Sequence, residues 1–131
     1  MPSKIFLDTN IVLDIIVPNR IEEKIIVKLF DKLADYEIFI SEDMLSTIYY
    51  IVKDKQKVLE FLETICDEWN VVSFENDVIK DAIKFSLTNK SDLEDTLQCF
   101  CAKKFDCNIL LTNDKKFIDC GVNILDYDKF L

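Results

Sequence analysis

The sequence contains no histidine, a single glycine and two prolines. Without histidine there is no Ser-His or Cys-His nucleophile pair and no imidazole-ligated zinc site, so any chemistry falls to carboxylates, amides, hydroxyls and lysines. The scarcity of glycine and proline leaves little room for long loops. No apolar run approaches the length needed to cross a bilayer, which predicts no membrane association. The opening Met-Pro-Ser-Lys leads into an apolar stretch without a signal-peptide pattern, which predicts a cytoplasmic protein. Positive charge is also short: 16 Lys and Arg against 25 Asp and Glu leave a formal net charge of −9. Nucleic-acid binders usually carry a basic footprint, so a plain phosphate-binding surface is disfavoured. A nucleic-acid substrate stays open, because acids that hold a divalent cation lower the count without repelling phosphate once the ion is bound.

What is present is an ordinary globular composition, 50% hydrophobic and 31% charged over 131 residues. That length suits one domain spanning residues 1–131, and no linker, repeat or low-complexity tract divides it. The five cysteines (66, 99, 101, 107, 120) are an odd number without the spacing of a disulfide framework, and they are expected to be buried thiols. Cys99 and Cys101 diverge by roughly 200° on a helix and make a poor metal pair.

Lys4 to Asn10 organises the chain. The run Ile5-Phe6-Leu7 reads as a buried strand that stops at Asp8, with Asn10 two residues on. Beyond it, the pattern predicts a short helix over 10–16 and an amphipathic helix over 20–35 carrying Ile21, Ile25, Ile26, Leu29, Phe30 and Leu33. A strand follows over 37–40, then a helix over 42–53 with Ser41 as its N-cap. A helix over 54–69 buries Val58, Leu59, Leu62, Ile65, Cys66 and Trp69. Residues 71–74 form a strand and 76–87 a helix. Ser91 and Glu94 stand at capping-box spacing before a helix that runs to about Phe105 and buries Leu93, Leu97, Phe100 and Cys101. Strands over 108–111 and 122–125 flank a short helix after Thr112. This alternation predicts a three-layer α/β/α sandwich around a central parallel sheet of four to five strands.

In such a sheet, strand ends and the starts of the following helices share one edge, where ligands bind. Asp8, Glu42, Asp43, Asp92, Asp95 and Asp114 all fall there. Asp92 and Asp95 lie about 60° apart on one side of their helix. Three or four carboxylates without histidine suit Mg²⁺ or Mn²⁺, and a metal-activated water then serves as nucleophile toward a phosphodiester. Structural roles compete with this reading. Asp8 suits an Asx turn, Glu42, Asp43, Asp92 and Glu94 suit the positive end of a helix, and Asp114 suits a cap. Asp95 stands past the capping positions and is the hardest to assign to structure alone.

Together the segments KIFLDTNIVLD (4–14), YEIFIS (36–41), STIYYIV (46–52), SDLEDTLQCFCA (91–102), NILLTNDKKF (108–117) and VNILDYDKFL (122–131) resemble PIN-domain proteins. That fold of metal-dependent ribonucleases includes the VapC-type toxins of toxin–antitoxin pairs. The resemblance implies an endoribonuclease with a Mg²⁺ or Mn²⁺ site formed by Asp8, Asp95 and Asp114, which would be both catalytic and metal-binding residues, supported by Asn10 and Thr112. It also implies an RNA substrate, an antitoxin partner and a homodimer. Where the family commonly has a second acid, a Glu in the helix after the second strand, this chain has Thr47. Asp43, one turn earlier, is the nearest compensator; Asp92 is another, and Glu42 is rotated away by about 140°. The departure motivates a rival expectation, a catalytically weak PIN module that binds nucleic acid or a protein. A receiver or aspartyl-phosphatase domain fits less well, lacking the second acids such sites need.

Overall fold

We describe the chain from a computed structural model covering residues 2–131; Met1 lies outside the described residues. Its elements run β1 (Ser3–Leu7), α1 (Thr9–Ile16), α2 (Glu23–Leu33), β2 (Tyr36–Ser41), α3 (Asp43–Ile51), α4 (Lys55–Glu68), β3 (Asn70–Val72), α5 (Asn76–Asn89), α6 (Leu93–Lys104), β4 (Ile109–Leu111), β5 (Asn123–Leu125) and α7 (Tyr127–Phe130). The five strands form one sheet in the order β3-β2-β1-β4-β5. Every pairing is parallel, with Ile5 opposite Ile38 and Ile109, and Phe6 opposite Phe39 and Leu110. Helices cover the sheet to give the expected α/β/α architecture.

β1 is central because its last three residues have no polar side to offer. Ile5, Phe6 and Leu7 are each 0% exposed, and burying side chains of this size contributes about 1.5–3 kcal/mol apiece. The chain builds outward from β1 through β2 to β3, then crosses back to β4 and β5 on the other side. The direction of winding therefore reverses between β1 and β4, and a crevice opens at their carboxyl ends. The ladder continues one residue past the strands: Asp8 N–H donates to Leu111 O and Thr112 N–H to Leu125 O, both at 3.0 Å.

Several local expectations are corrected. Asp92, not Ser91, caps α6, and its side chain accepts from the Asp95 amide at 3.0 Å. Ser91 instead joins Ser86 and Thr96 in a hydroxyl cluster between α5 and α6. With the helix beginning at Leu93, Asp95 lies within the first turn rather than beyond it. Leu93 is 43% exposed, because α6 turns Thr96, Gln98, Cys99, Cys101 and Ala102 inward. Ser41 ends β2 and does not cap α3; its hydroxyl donates to the Asp43 carboxylate. On α4 Val58 and Ile65 are buried, whereas Leu59 and Cys66 are exposed. Phe30 likewise stands on the outer side of α2.

No helix follows Thr112. The chain there makes a turn in which the Asp114 carboxylate accepts from the Lys116 amide at 2.9 Å. Two cysteines are also not free thiols: Cys99 on α6 and Cys120, in the loop between β4 and β5, form a disulfide. Cys101 and Cys107 are buried, and burial pushes each thiol up to about 12, which leaves them unreactive as nucleophiles. Among the described residues no helix is long and apolar enough to cross a membrane.

Candidate functional site

Asp8 sits where the central strand gives way to α1 and is only 6% exposed. One carboxylate oxygen accepts from the Thr9 amide at 2.7 Å, as the N-cap of α1. The other accepts from the Thr112 hydroxyl at 2.8 Å. That hydroxyl oxygen in turn accepts from the Asp114 amide at 3.1 Å, so a single threonine joins the ends of β1 and β4. Behind them Gln98, fully buried on α6, donates to the Thr9 hydroxyl at 3.3 Å. Its carbonyl oxygen has no partner among the described residues.

The electrostatics are lopsided. Burial raises the Asp8 carboxyl above its ordinary range against the pull of Thr112 and Thr9, and the charge of Asp114 raises it further. Asp95, half-buried, is pushed up to about 6 by burial, then by the charges of Asp92, Asp8, Asp114 and Glu94. Glu94 is raised by desolvation and by Asp43, Asp92 and Asp8. None of the ion pairs among the described residues reaches any of these groups. The cluster is thus an uncompensated concentration of negative charge, held on the sheet edge by backbone and hydroxyl donors.

The crevice brings Asp8, Asp95 and Asp114 within electrostatic reach of one another. The acids do not, however, draw together tightly: among the described residues no three of them converge closely enough to enclose an ion. Asn10 stands exposed on the first turn of α1 and Glu42 is exposed before α3. Asp92 is engaged as the α6 cap, and Asp43 is engaged with Ser41. Thr47, at the expected second-acid position, donates to the Asp43 carbonyl oxygen one turn earlier at 3.3 Å. Glu94 is the residue that sequence reasoning passed over. Its capping spacing to Ser91 suggested a structural role, but with Asp92 as the cap it is free to face the acids. The overlooked signal was Asp92 itself, three residues before Asp95.

A parallel sheet wound in both directions from β1, with carboxylates at the switch point, defines a doubly wound α/β domain with an acidic crevice. The chain belongs to the PIN domain family, whose sequence profile matches residues 5–122. It is 31% identical over 134 residues to ribonuclease VapC1 of Aquifex aeolicus (strain VF5), covering 98% of this chain and 93% of that one. Solved structures share the fold. A DNA-bound VapBC complex from Salmonella typhimurium superposes with a TM-score of 0.73 at 18% identity, covering 95% of this chain and 98% of that one. Mycobacterium tuberculosis VapC20, a toxin that cleaves the sarcin–ricin loop, gives 0.74 at 12% identity, covering 91% of this chain and 96% of that one.

Proposed function

We propose that this chain is a Mg²⁺- or Mn²⁺-dependent endoribonuclease, the toxin of a toxin–antitoxin pair, acting on RNA in the cytoplasm. The observation that carries the reading is the grouping of Asp8, Asp95 and Asp114: the charge of Asp114 raises the Asp8 carboxyl, the charges of Asp8 and Asp114 raise that of Asp95, and no ion pair among the described residues reaches any of the three. Crowding carboxylates, one buried at Asp8 and one half-buried at Asp95, costs free energy unless a counter-charge arrives, and an all-oxygen donor set suits a hard divalent cation. Asp8, Asp95 and Asp114 would hold the ion, with Glu94 supplying the acid that Thr47 lacks. When bound, the ion supplies charge neutralisation at the scissile phosphate and an acidified water. The chain's own part is orientation: Thr9 and Thr112 fix both oxygens of Asp8, and Asp92 fixes the start of the helix that carries Asp95.

The test is cleavage of single-stranded RNA by the purified protein, with and without EDTA, and by Asp8→Asn and Asp95→Asn. Cleavage that persists in EDTA, or in both variants, overturns the proposal. The second reading, a catalytically weak module that binds nucleic acid or protein, is favoured by Thr47, whose hydroxyl is spent inside α3. Calorimetry with Mn²⁺ separates the two: submillimolar binding supports the enzyme, and no binding at millimolar concentration supports the module.

The VapBC relatives support an antitoxin partner. The exposed apolar side chains of Tyr50 (86%), Ile51 (48%) and Leu59 (53%) on α3 and α4 support a protein contact, with an antitoxin or in a homodimer. Native mass measurement of the protein, alone and with a candidate antitoxin, tests both.

A further inference from the structure

Beside the acid cluster lies a cleft of about 280 Å³ between the turn after β4 and the α7 end of the chain. Thr112 and Asp114 line it, so it shares with the acid site the residue that donates to Asp8. Its other walls bring together groups that the site's acids do not use: the Lys115 and Lys129 side chains, the Phe117 ring and Asn113. We infer that this cleft seats one nucleotide of a single-stranded RNA, next to the phosphate that is cut. The inference rests on the ribonuclease reading and names the part of the site that holds the substrate.

Three observations carry it. The first is charge. Some lysines are tied to the fold: Lys104 pairs with Glu75 and Asp77, while Lys4, Lys55 and Lys103 donate to carbonyl oxygens. Among the described residues no acceptor is recorded for the ammonium of Lys115 or Lys129. Asp126, the remaining acid of the cleft, already accepts from the Lys129 amide at 3.0 Å. In a chain with a net charge of −9, two free cations beside the acids are placed where an incoming phosphate must be attracted past them.

The second is the aromatic ring. Phe117 is partly buried, held from behind by the core, and also lines the cleft, as a stacking platform for a base requires. The third is the amide. The Asn113 side-chain oxygen accepts from the Tyr127 amide at 3.0 Å, which fixes a polar amide group at the wall of the cleft. The volume lies just below the roughly 300–1,000 Å³ of small-molecule sites, enough for one nucleotide and not for a folded element.

The experiment measures anisotropy of a labelled, unstructured RNA with the full chain in Ca²⁺, then maps cut positions in Mg²⁺. Lys115→Glu/Lys129→Glu is expected to weaken binding by about tenfold or more and to flatten its salt dependence. Phe117→Leu keeps the packing but removes the stacking face, and is expected to weaken binding several-fold and to blur the base preference at one position beside the cut. Wild-type affinity and an unchanged cut pattern in both variants overturn the inference, while loss of cleavage in Asp95→Asn leaves the ribonuclease reading standing. A wild-type chain that neither binds nor cuts RNA overturns both.

Discussion

Asp8 and Asp14 stand at the two ends of α1, and both are 6% exposed. They have been buried in opposite ways. Asp14 accepts from Arg20 Nε at 2.9 Å and from the Tyr127 hydroxyl at 2.7 Å, so its charge is matched within the fold. The match is close enough that burial, with Asp14 alongside, drives the Tyr127 phenol well above its ordinary range. Asp8 receives a hydroxyl and an amide but no cation, and its nearest charged company is negative. A buried carboxylate without a counter-charge is costly, and a protein able to supply arginine at one end of a helix has left the other end short. The difference separates a carboxylate used as a structural tie from one reserved for a ligand.

Breaking that contrast gives the largest effect. Asp8→Asn is expected to lower RNA cleavage at least about 100-fold, and yet to raise the melting temperature of the metal-free protein. The sign follows from the raised pKa: the group favours folding fully at pH below its ordinary value, and that contribution is lost as pH rises through the folded value. At neutral pH, deleting the charge therefore stabilises. A metal-free melt in which Asp8→Asn is less stable than wild type removes the contrast.

Asp114 is held in a third way, on an exposed turn whose far end is tied by the Cys99–Cys120 disulfide across a sequence separation of 21. Closing a loop of that size restricts the unfolded chain, so Cys120→Ser should cost about 3 kcal/mol in urea denaturation. An equal midpoint for the variant and the oxidised wild type counts against the tie.

Asp14→Asn is the mirror of Asp8→Asn. It should lose about 2 kcal/mol of stability through its two charge-assisted hydrogen bonds, with cleavage per folded molecule unchanged. Loss of activity in fully folded Asp14→Asn protein would place this acid in the site after all.

Smaller effects sharpen the assignment of the fourth acid. Glu94→Gln should weaken Mn²⁺ binding about tenfold, and Thr47→Glu should strengthen it by a similar factor; calorimetry that finds both neutral excludes the two positions. Smallest is a pH effect. The Asp95 carboxyl, raised from 3.8 to about 6, contributes stability to the metal-free protein that declines as pH rises across that window. Melting in EDTA from pH 4 to 7 should therefore show a shallower slope in Asp95→Asn than in wild type, and matching slopes discount the crowding.

The strands and the acids at their ends were legible in the sequence because each rests on a local pattern: a short apolar run followed by a carboxylate. Where the reading failed, long-range contacts decided. On α6 Cys101 is buried and Phe100 packs on the core as the pattern predicts, but Leu93, read as part of the same apolar stripe, is exposed. The helix instead buries Thr96 and Gln98, whose polar groups find Asp92, Ser91 and Thr9 as partners. Ser91 offered the better-known capping spacing, and Asp92 won because its carboxylate reaches the Asp95 amide. The role of Thr112 as a bridge between Asp8 and Asp114 depends on β1 and β4 being neighbours, which spacing alone does not reveal. Cys99 and Cys120 are likewise brought together only by the packing of α6 against the loop that follows β4.

That covalent link has a further consequence. The ring it closes contains β4 and Asp114, with Asp95 one helical turn outside it. A protease that nicks the exposed turn between Asn113 and Asp119 leaves two fragments that still travel as one molecule, and they part only under a reductant.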